Sequence, residues 1–271
     1  MLFGLKEVCD SGTISLKFTI GVIASTVHHF AIELSHMNKI LLVDDDPPML
    51  GFLEHLFTDS GYEAICAFDG ITALREFSNN RPDIAVIDLL MPNMDGFQLC
   101  RRIRELSRIP IIVLTGLEQV GEKVNAFNAG ADDYVVKPVT GREMLARVEA
   151  CLRRAQWPPA NDTSSIYTDP YLTVDFTRRE VFVGGESKDL TPIEYALLSL
   201  FVQRPGEALS LEYLLTNVWG RDYDTFDLVK WHISNLRKKL KHSSDQSSSE
   251  DASPIVTVRG YGYRYKRPSD A

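Results

Sequence analysis

Short, uninterrupted apolar runs punctuate residues 38–140. Ile40-Leu41-Leu42-Val43, Ile84-Ala85-Val86-Ile87, Ile111-Ile112-Val113-Leu114 and Tyr134-Val135-Val136 show no polar alternation. Runs of this kind predict strands covered on both faces, as in a parallel sheet flanked by helices. Each run ends on polar groups: Asp44-Asp45-Asp46, Asp88, Thr115 and Lys137-Pro138 respectively. Ligands of open α/β sheets collect beyond the carboxyl ends of the strands, so the four ends are predicted to converge on one pocket.

The pattern changes after Trp157. Pro158, Pro159, Asn161, Asp162, Thr163, Ser164 and Ser165 mark a linker over residues 156–169. Leu172–Asp175 and Glu180–Val183 then alternate as short strands. Thr191-Pro192-Ile193-Glu194 opens a helix, with Thr191 as N-cap, Pro192 in the first turn and Glu194 completing a capping box. Pro205-Gly206 stops it, Ser210 caps a second helix reaching Trp219-Gly220, and a third is predicted from about Phe226 to Lys241. Val256 to Tyr265, with Gly260 and Gly262, has the pattern of a hairpin.

The converging polar groups define a chemistry. Clustered carboxylates repel and raise one another's pKa, and a hard divalent cation removes the conflict. Mg²⁺ prefers oxygen ligands and suits one or two carboxylates plus a phosphate. Lys137 adds a fixed positive charge and Thr115 a hydroxyl. Together they can hold a phosphoryl group moving onto a carboxylate oxygen of Asp88, a reaction that needs little beyond positioning and charge neutralisation. A single Asp after a strand is more often a loop cap. The whole constellation, in this order, carries the reading.

Residues 38–155 resemble the receiver domain of two-component response regulators, through KILLVDDD (39–46), DLLMPNMDG (88–96), LTG (114–116) and GADDYVVKP (130–138). The resemblance implies a doubly wound, five-stranded parallel α/β sheet of flavodoxin-like topology. It also implies a phosphoacceptor at Asp88, Mg²⁺ held by Asp44, Asp45 and Asp88, a switch pair Thr115 and Tyr134, and a phosphoryl contact from Lys137 across a cis Lys137-Pro138 bond. Its dimer face corresponds to Lys123, Asp132, Asp133, Glu143 and Arg147. Asn128 and Glu149 stand where an acidic and a basic residue are usual, so weaker dimerisation is expected. Leu90 and Leu117, two residues beyond Asp88 and Thr115, cannot orient a hydrolytic water, and slow self-dephosphorylation follows.

Charge adds a local signal only. The chain's net charge is −8; residues 38–155 carry 13 basic and 18 acidic groups and residues 166–271 carry 14 and 15. From Lys230 to Lys241, however, no acid occurs, and Lys230, Arg237, Lys238, Lys239 and Lys241 are basic. A basic helix face is usually solvated surface. Here it is the third helix of a set and is followed by a basic ribbon, the layout of a helix that enters a DNA groove.

Residues 171–267 resemble the winged-helix effector domain of the OmpR/PhoB family, through LTPIEYALLSLFVQRPGEALS, VWGRDYD, HISNLRKKL and TVRGYGYR. The resemblance implies a promoter-binding regulator, with Lys230, His232, Asn235, Arg237, Lys238 and Lys241 on the DNA-facing helix and Arg259 and Tyr261 at the wing. It implies as partners double-stranded DNA, a sensor histidine kinase, a second copy after phosphorylation and, through Thr216–Asp227, RNA polymerase. A bacterial cytoplasm and no enzymatic role of its own follow from the family. Lys230-Trp231 and Val256 depart from the family pattern and leave the base preference open, and Ser243–Ser253 has the composition of a flexible insertion.

The expected domains are thus a receiver at 37–155, a linker at 156–169 and a winged helix at 170–268. Residues 1–36 are expected to be a disordered tail or a misassigned start; the apolar stretch Phe18–Val27 is too short to span a bilayer. Cys9, Cys66, Cys100 and Cys151 lack metal-type spacing and read as reduced thiols. Two rival readings are a phosphohydrolase with Asp88 as nucleophile, which lacks a second acid at Leu90, and a DNA binder indifferent to phosphorylation.

Overall fold

The switch in strand order places the pocket. Strands β1 (Lys39–Val43), β2 (Glu63–Ala67), β3 (Ile84–Asp88), β4 (Ile111–Thr115) and β5 (Asp133–Val136) form a parallel sheet in the order β2-β1-β3-β4-β5. The chain winds outward from β1 to β2 on one side and from β3 to β5 on the other. A crevice therefore opens between the carboxyl ends of β1 and β3, where Asp44 and Asp88 lie. Both β3 and β4 are buried at every residue, as their unbroken apolar runs required.

The computed structural model describes residues 37–116, 120–155, 166–220, 223, 225–241 and 253–267. The expected tail at 1–36, Leu117, residues 156–165 of the expected linker and most of Ser243–Ser253 lie outside these. No helix among the described residues is long and apolar enough to cross a membrane.

Alternate residues of each strand face opposite layers. Ile40, Leu42, Ile84, Val86, Ile112 and Leu114 pack with α1 (Pro47–Asp59) and α5 (Gly141–Ala155). Leu41, Val43, Ala85, Ile87, Ile111 and Val113 pack with α2 (Gly70–Asn80), α3 (Gly96–Leu106) and α4 (Val120–Asn128). Asp69 and Asp95 cap α2 and α3 through backbone N–H groups of Ile71, Thr72 and Gln98. Gly96 opens α3 against the backbone under the pocket. A Cβ there would sit 2.2 Å from the Asp88 carbonyl oxygen and 2.7 Å from Leu89 Cα. Backbone cannot swing aside as a side-chain tip can. Gly96→Ala is therefore expected to destabilise the chain by about 3 kcal/mol, the upper part of the overpacking range; an unchanged urea midpoint would refute this.

The second domain begins with a four-stranded antiparallel sheet: β6 (Ile166–Thr168), β7 (Leu172–Asp175), β8 (Glu180–Val183) and β9 (Glu186–Ser187). Strand β6 lies inside the span expected to be linker. Its Thr168–Thr173 pairing at the sheet edge has no counterpart in local composition. Helices α6 (Pro192–Gln203), α7 (Leu211–Val218) and α8 (Asp227–Lys239) follow, with the capping box at Thr191 and Glu194 formed and Ser210 capping α7. The wing is the hairpin β11 (Ile255–Val258) and β12 (Gly262–Tyr265), completed by β10 (Ala208–Ser210).

Candidate functional site

Lys137 ties the pocket together. Its Nζ donates to Asp88 Oδ2 at 2.6 Å and to Asp44 Oδ2 at 2.7 Å. Burial pulls this ammonium's pKa down, but hydrogen bonds to the two carboxylates outweigh it and the net direction is up. Asp88 Oδ1 accepts the backbone N–H of Leu90 at 3.0 Å, and Asp44 Oδ1 that of Asp46 at 2.9 Å. Asp88 is 6% exposed and Asp44 1%. Desolvation raises the Asp88 pKa and the Asp44 charge adds to it, against the pull of Lys137 and the Leu90 N–H.

Asp44, exposed Asp45 and Asp88 each offer a carboxylate oxygen, all within 4.8 Å of one another. Three hard, anionic oxygens beside a partly open rim fit Mg²⁺, which keeps several waters. The cis Lys137-Pro138 bond is present, and the Lys137 N–H donates to the Thr115 carbonyl at 2.8 Å. The ends of β4 and β5 are thus fastened together beside Asp88. Thr115 is fully buried, and Tyr134 is buried with Lys123 Nζ 5.5 Å from its ring centre. Leu90 is 54% exposed at the pocket mouth and offers no polar atom on its side chain.

The expected dimer face is in part a different structure. Arg147 spans Glu143 at 2.9 Å and Asp133 at 3.3 Å, as an ion-paired face requires. Asp132 has other partners. Its carboxylate accepts from Arg104 and from the Ile111 backbone N–H, whereas Asp133, equally buried, meets Arg147. Asp132 precedes β5 and turns to Arg104 of α3, while Asp133 opens β5 and turns to Arg147 of α5. Sequence adjacency concealed that difference.

The basic helix α8 packs against the receiver. His232 is 3% exposed, its ring 5.5 Å from Phe127 of α4 and 5.4 Å from Trp219. Burial, then the nearby Arg154 charge, lowers the His232 pKa to about 3, so the imidazole is neutral. Asn235 and Lys238 line a cleft of about 800 Å³ shared with Arg101, Arg104 and Arg108 of α3 and its end. Arg237 is turned to its own domain, donating to the Ile255 carbonyl at 2.9 Å and to Thr257 Oγ1 at 2.8 Å. It fastens the helix to the wing, a role its basic character alone did not reveal. Lys230 is exposed and pairs with Asp227, Lys241 is half-buried, and Arg259 and Tyr261 stand exposed at the wing turn.

Three side chains absent from the sequence reading carry the rest of this contact. Tyr223 donates to Asp133 Oδ2 at 2.5 Å and lies 4.7 Å below the Arg147 guanidinium. Arg154, 2% exposed, donates to the Val218 and Trp219 carbonyls at 3.4 Å each. Arg108 pairs with Asp189 at 2.5 Å. Tyr223 lies in the motif VWGRDYD, but nothing in the motif points to a partner 90 positions away.

Comparison with known proteins agrees with both halves. A model for the response regulator receiver domain matches residues 40–149, and one for the C-terminal domain of transcriptional regulatory proteins matches residues 185–265. A probable transcriptional regulator, ycf27, of Guillardia theta is 38% identical over 246 residues, covering 88% of this chain and 94% of that protein. Response regulator MprA of Mycobacterium sp. (strain KMS) is 39% identical, covering 83% of this chain and 96% of that one. The solved structure of a RitR mutant superposes with a TM-score of 0.68 over 85% of this chain and 99% of its own, at 24% identity, a likeness of fold.

Proposed function

The chain belongs to the two-component response regulators of the OmpR/PhoB type, and we propose that it is a promoter-binding regulator switched by phosphorylation of Asp88. The observation that carries this reading is the Lys137 bridge between Asp44 and Asp88 at 2.6–2.7 Å, with Asp45 in ligand range.

In the transfer, an Asp88 carboxylate oxygen attacks phosphorus on a phosphohistidine of a sensor kinase. A P–O bond forms, the P–N bond breaks, and the departing imidazole takes up a proton. Bound Mg²⁺ supplies neutralisation of the charge on the phosphoryl oxygens. Lys137, released from part of its carboxylate pairing, takes one equatorial oxygen, and the Thr115 hydroxyl takes another. Exposed Leu90 leaves water unoriented, and the phosphoryl group is expected to be long-lived. Movement of Thr115 toward the new oxygens draws Tyr134 after it and alters the face formed by α4, β5 and α5. That face then joins a second copy through Lys123, Asp133, Glu143 and Arg147. The paired winged helices present α8 and the wing to a promoter in the cytoplasm, where RNA polymerase meets the segment around Thr216–Asp227.

Mass spectrometry after treatment with acetyl phosphate and Mg²⁺ tests the acceptor. One phosphoryl group on the wild type and none on Asp88→Asn is expected. Equal labelling of both would overturn the assignment.

A further inference from the structure

Cations crowd the cleft between the two domains. Its volume is about 800 Å³, and Arg101, Arg104, Arg108, Lys188, Lys238 and Lys239 line it against three carboxylates. Those carboxylates are already matched: Asp189 meets Arg108, Glu194 meets Lys239, and Glu105 turns to Arg102. Asn128, at a position where an acidic residue is usual, adds no fourth. Among the described residues no carboxylate pairs with Arg101 or Lys238, and both are exposed. A cleft lined by an excess of one charge focuses its field and concentrates ions of the other sign.

Two buried atoms of residues lining the same cleft lack a hydrogen-bond partner, His232 Nε2 and Arg108 Nε. They ask for opposite things. Arg108 Nε–H is a donor. The neutral His232 ring gives one N–H to the Asp132 backbone carbonyl, so Nε2 holds a lone pair and needs a donor. A ligand that suits both carries many acceptor oxygens and at least one O–H. A carboxylic acid has lost its proton at neutral pH. Phosphates keep one, and guanidinium groups fit their oxygens. The size of the cleft and the number of cations leave room for more than one phosphoryl group. We propose that the cleft binds a small molecule with two linked phosphoryl groups, inorganic pyrophosphate or a nucleoside diphosphate, held by Arg101, Arg108 and Lys238 and donating an O–H to His232. The site does not rest on the function proposed above. On that function, the ligand and a promoter compete for Asn235 and Lys238, and the ligand is an input separate from Asp88.

The test is calorimetric titration of the full-length protein with pyrophosphate and, separately, with ADP. It is run without metal, DNA or phosphodonor, in about 0.15 M salt, where loosely held ions are screened. Saturable one-to-one binding is expected, and the tighter ligand identifies the source. The double variant Arg101→Glu/Lys238→Glu changes two exposed side chains and is expected to fold, as circular dichroism will verify, and to bind about tenfold more weakly. Inorganic phosphate is expected to bind more tightly than sulfate, which has no proton to give His232, and His232→Phe is expected to erase that preference. No saturable binding, or equal binding by the double variant, would overturn the site. Binding lost in Lys137→Ala but kept in the double variant would overturn it too, by placing the anion at Asp88. Sulfate matching phosphate in the wild type would reduce the cleft to a holder of adventitious ions.

Discussion

Lys137→Ala slows phosphoryl incorporation into Asp88 from acetyl phosphate by about two orders of magnitude, without weakening Mg²⁺ binding. The rate effect follows from position. Nζ stands 2.6 Å from the attacking carboxylate and 2.7 Å from Asp44, so it is already where charge develops on the phosphoryl oxygens. Removing one preorganised donor of this kind costs about 10²–10³ in rate. The metal effect has the opposite sign because Lys137 competes with a cation for the same oxygens. Without it, Asp44 and Asp88 face each other uncompensated, and the Asp88 pKa, already raised by burial and by Asp44, rises further. Isothermal titration with Mg²⁺ and rapid-quench labelling separate the two. An unchanged labelling rate would mean that Lys137 is only a structural bridge.

Lowering the pH from 7.5 to 5 opens the contact between receiver and winged helix by about 2 kcal/mol. His232 is the cause. Desolvation, Arg154, Arg104 and Lys239 all disfavour its charged form, and only the Asp132 backbone carbonyl favours it, leaving a pKa of about 3 in the closed contact against 6.5 when free. A depressed folded pKa on a base means that the stabilisation is complete above 6.5 and declines as pH falls towards 3. At pH 5 roughly 1.5 units of that window have been crossed, at about 1.4 kcal/mol per unit. Energy transfer between dyes on the two domains, read at nanomolar concentration, should fall on acidification. In His232→Phe, where the ring contacts with Phe127 and Trp219 persist without a titrating group, it should not. Equal pH responses in both proteins would assign the effect to other groups.

What the sequence made legible follows from how each feature is encoded. Four of the five parallel strands are legible as apolar runs, because burial on both faces leaves little room for alternation; β2 (Glu63–Ala67), the part-exposed edge strand, is not among them. Asp44, Asp88, Thr115 and Lys137 could be assembled because each ends such a run, and strand order turns that one-dimensional fact into convergence. The helix starts at Thr191 and Ser210 were legible because a cap is a local hydrogen bond. Strands β6 and β9 escaped because their pairing partners, not their own residues, make them strands. Asp132 and Asp133 look alike in the sequence, yet Asp132 satisfies Arg104 and the Ile111 N–H while Asp133 meets Arg147, a difference set by partners distant in the chain. The Tyr223–Asp133 and Arg154–Trp219 contacts join residues 90 and 65 positions apart and leave no local trace.

The central question is whether the Asp88 pocket governs the DNA-binding helix. The most direct measurement is selection of duplex DNA from a random pool with full-length protein, with and without acetyl phosphate and Mg²⁺, alongside Asp88→Asn. The expected result is that the phosphodonor sharpens binding to a direct repeat in the wild type alone, with one winged helix on each half-site. Equal binding by all three samples would contradict the account and leave a DNA-binding protein whose acidic pocket does not gate it.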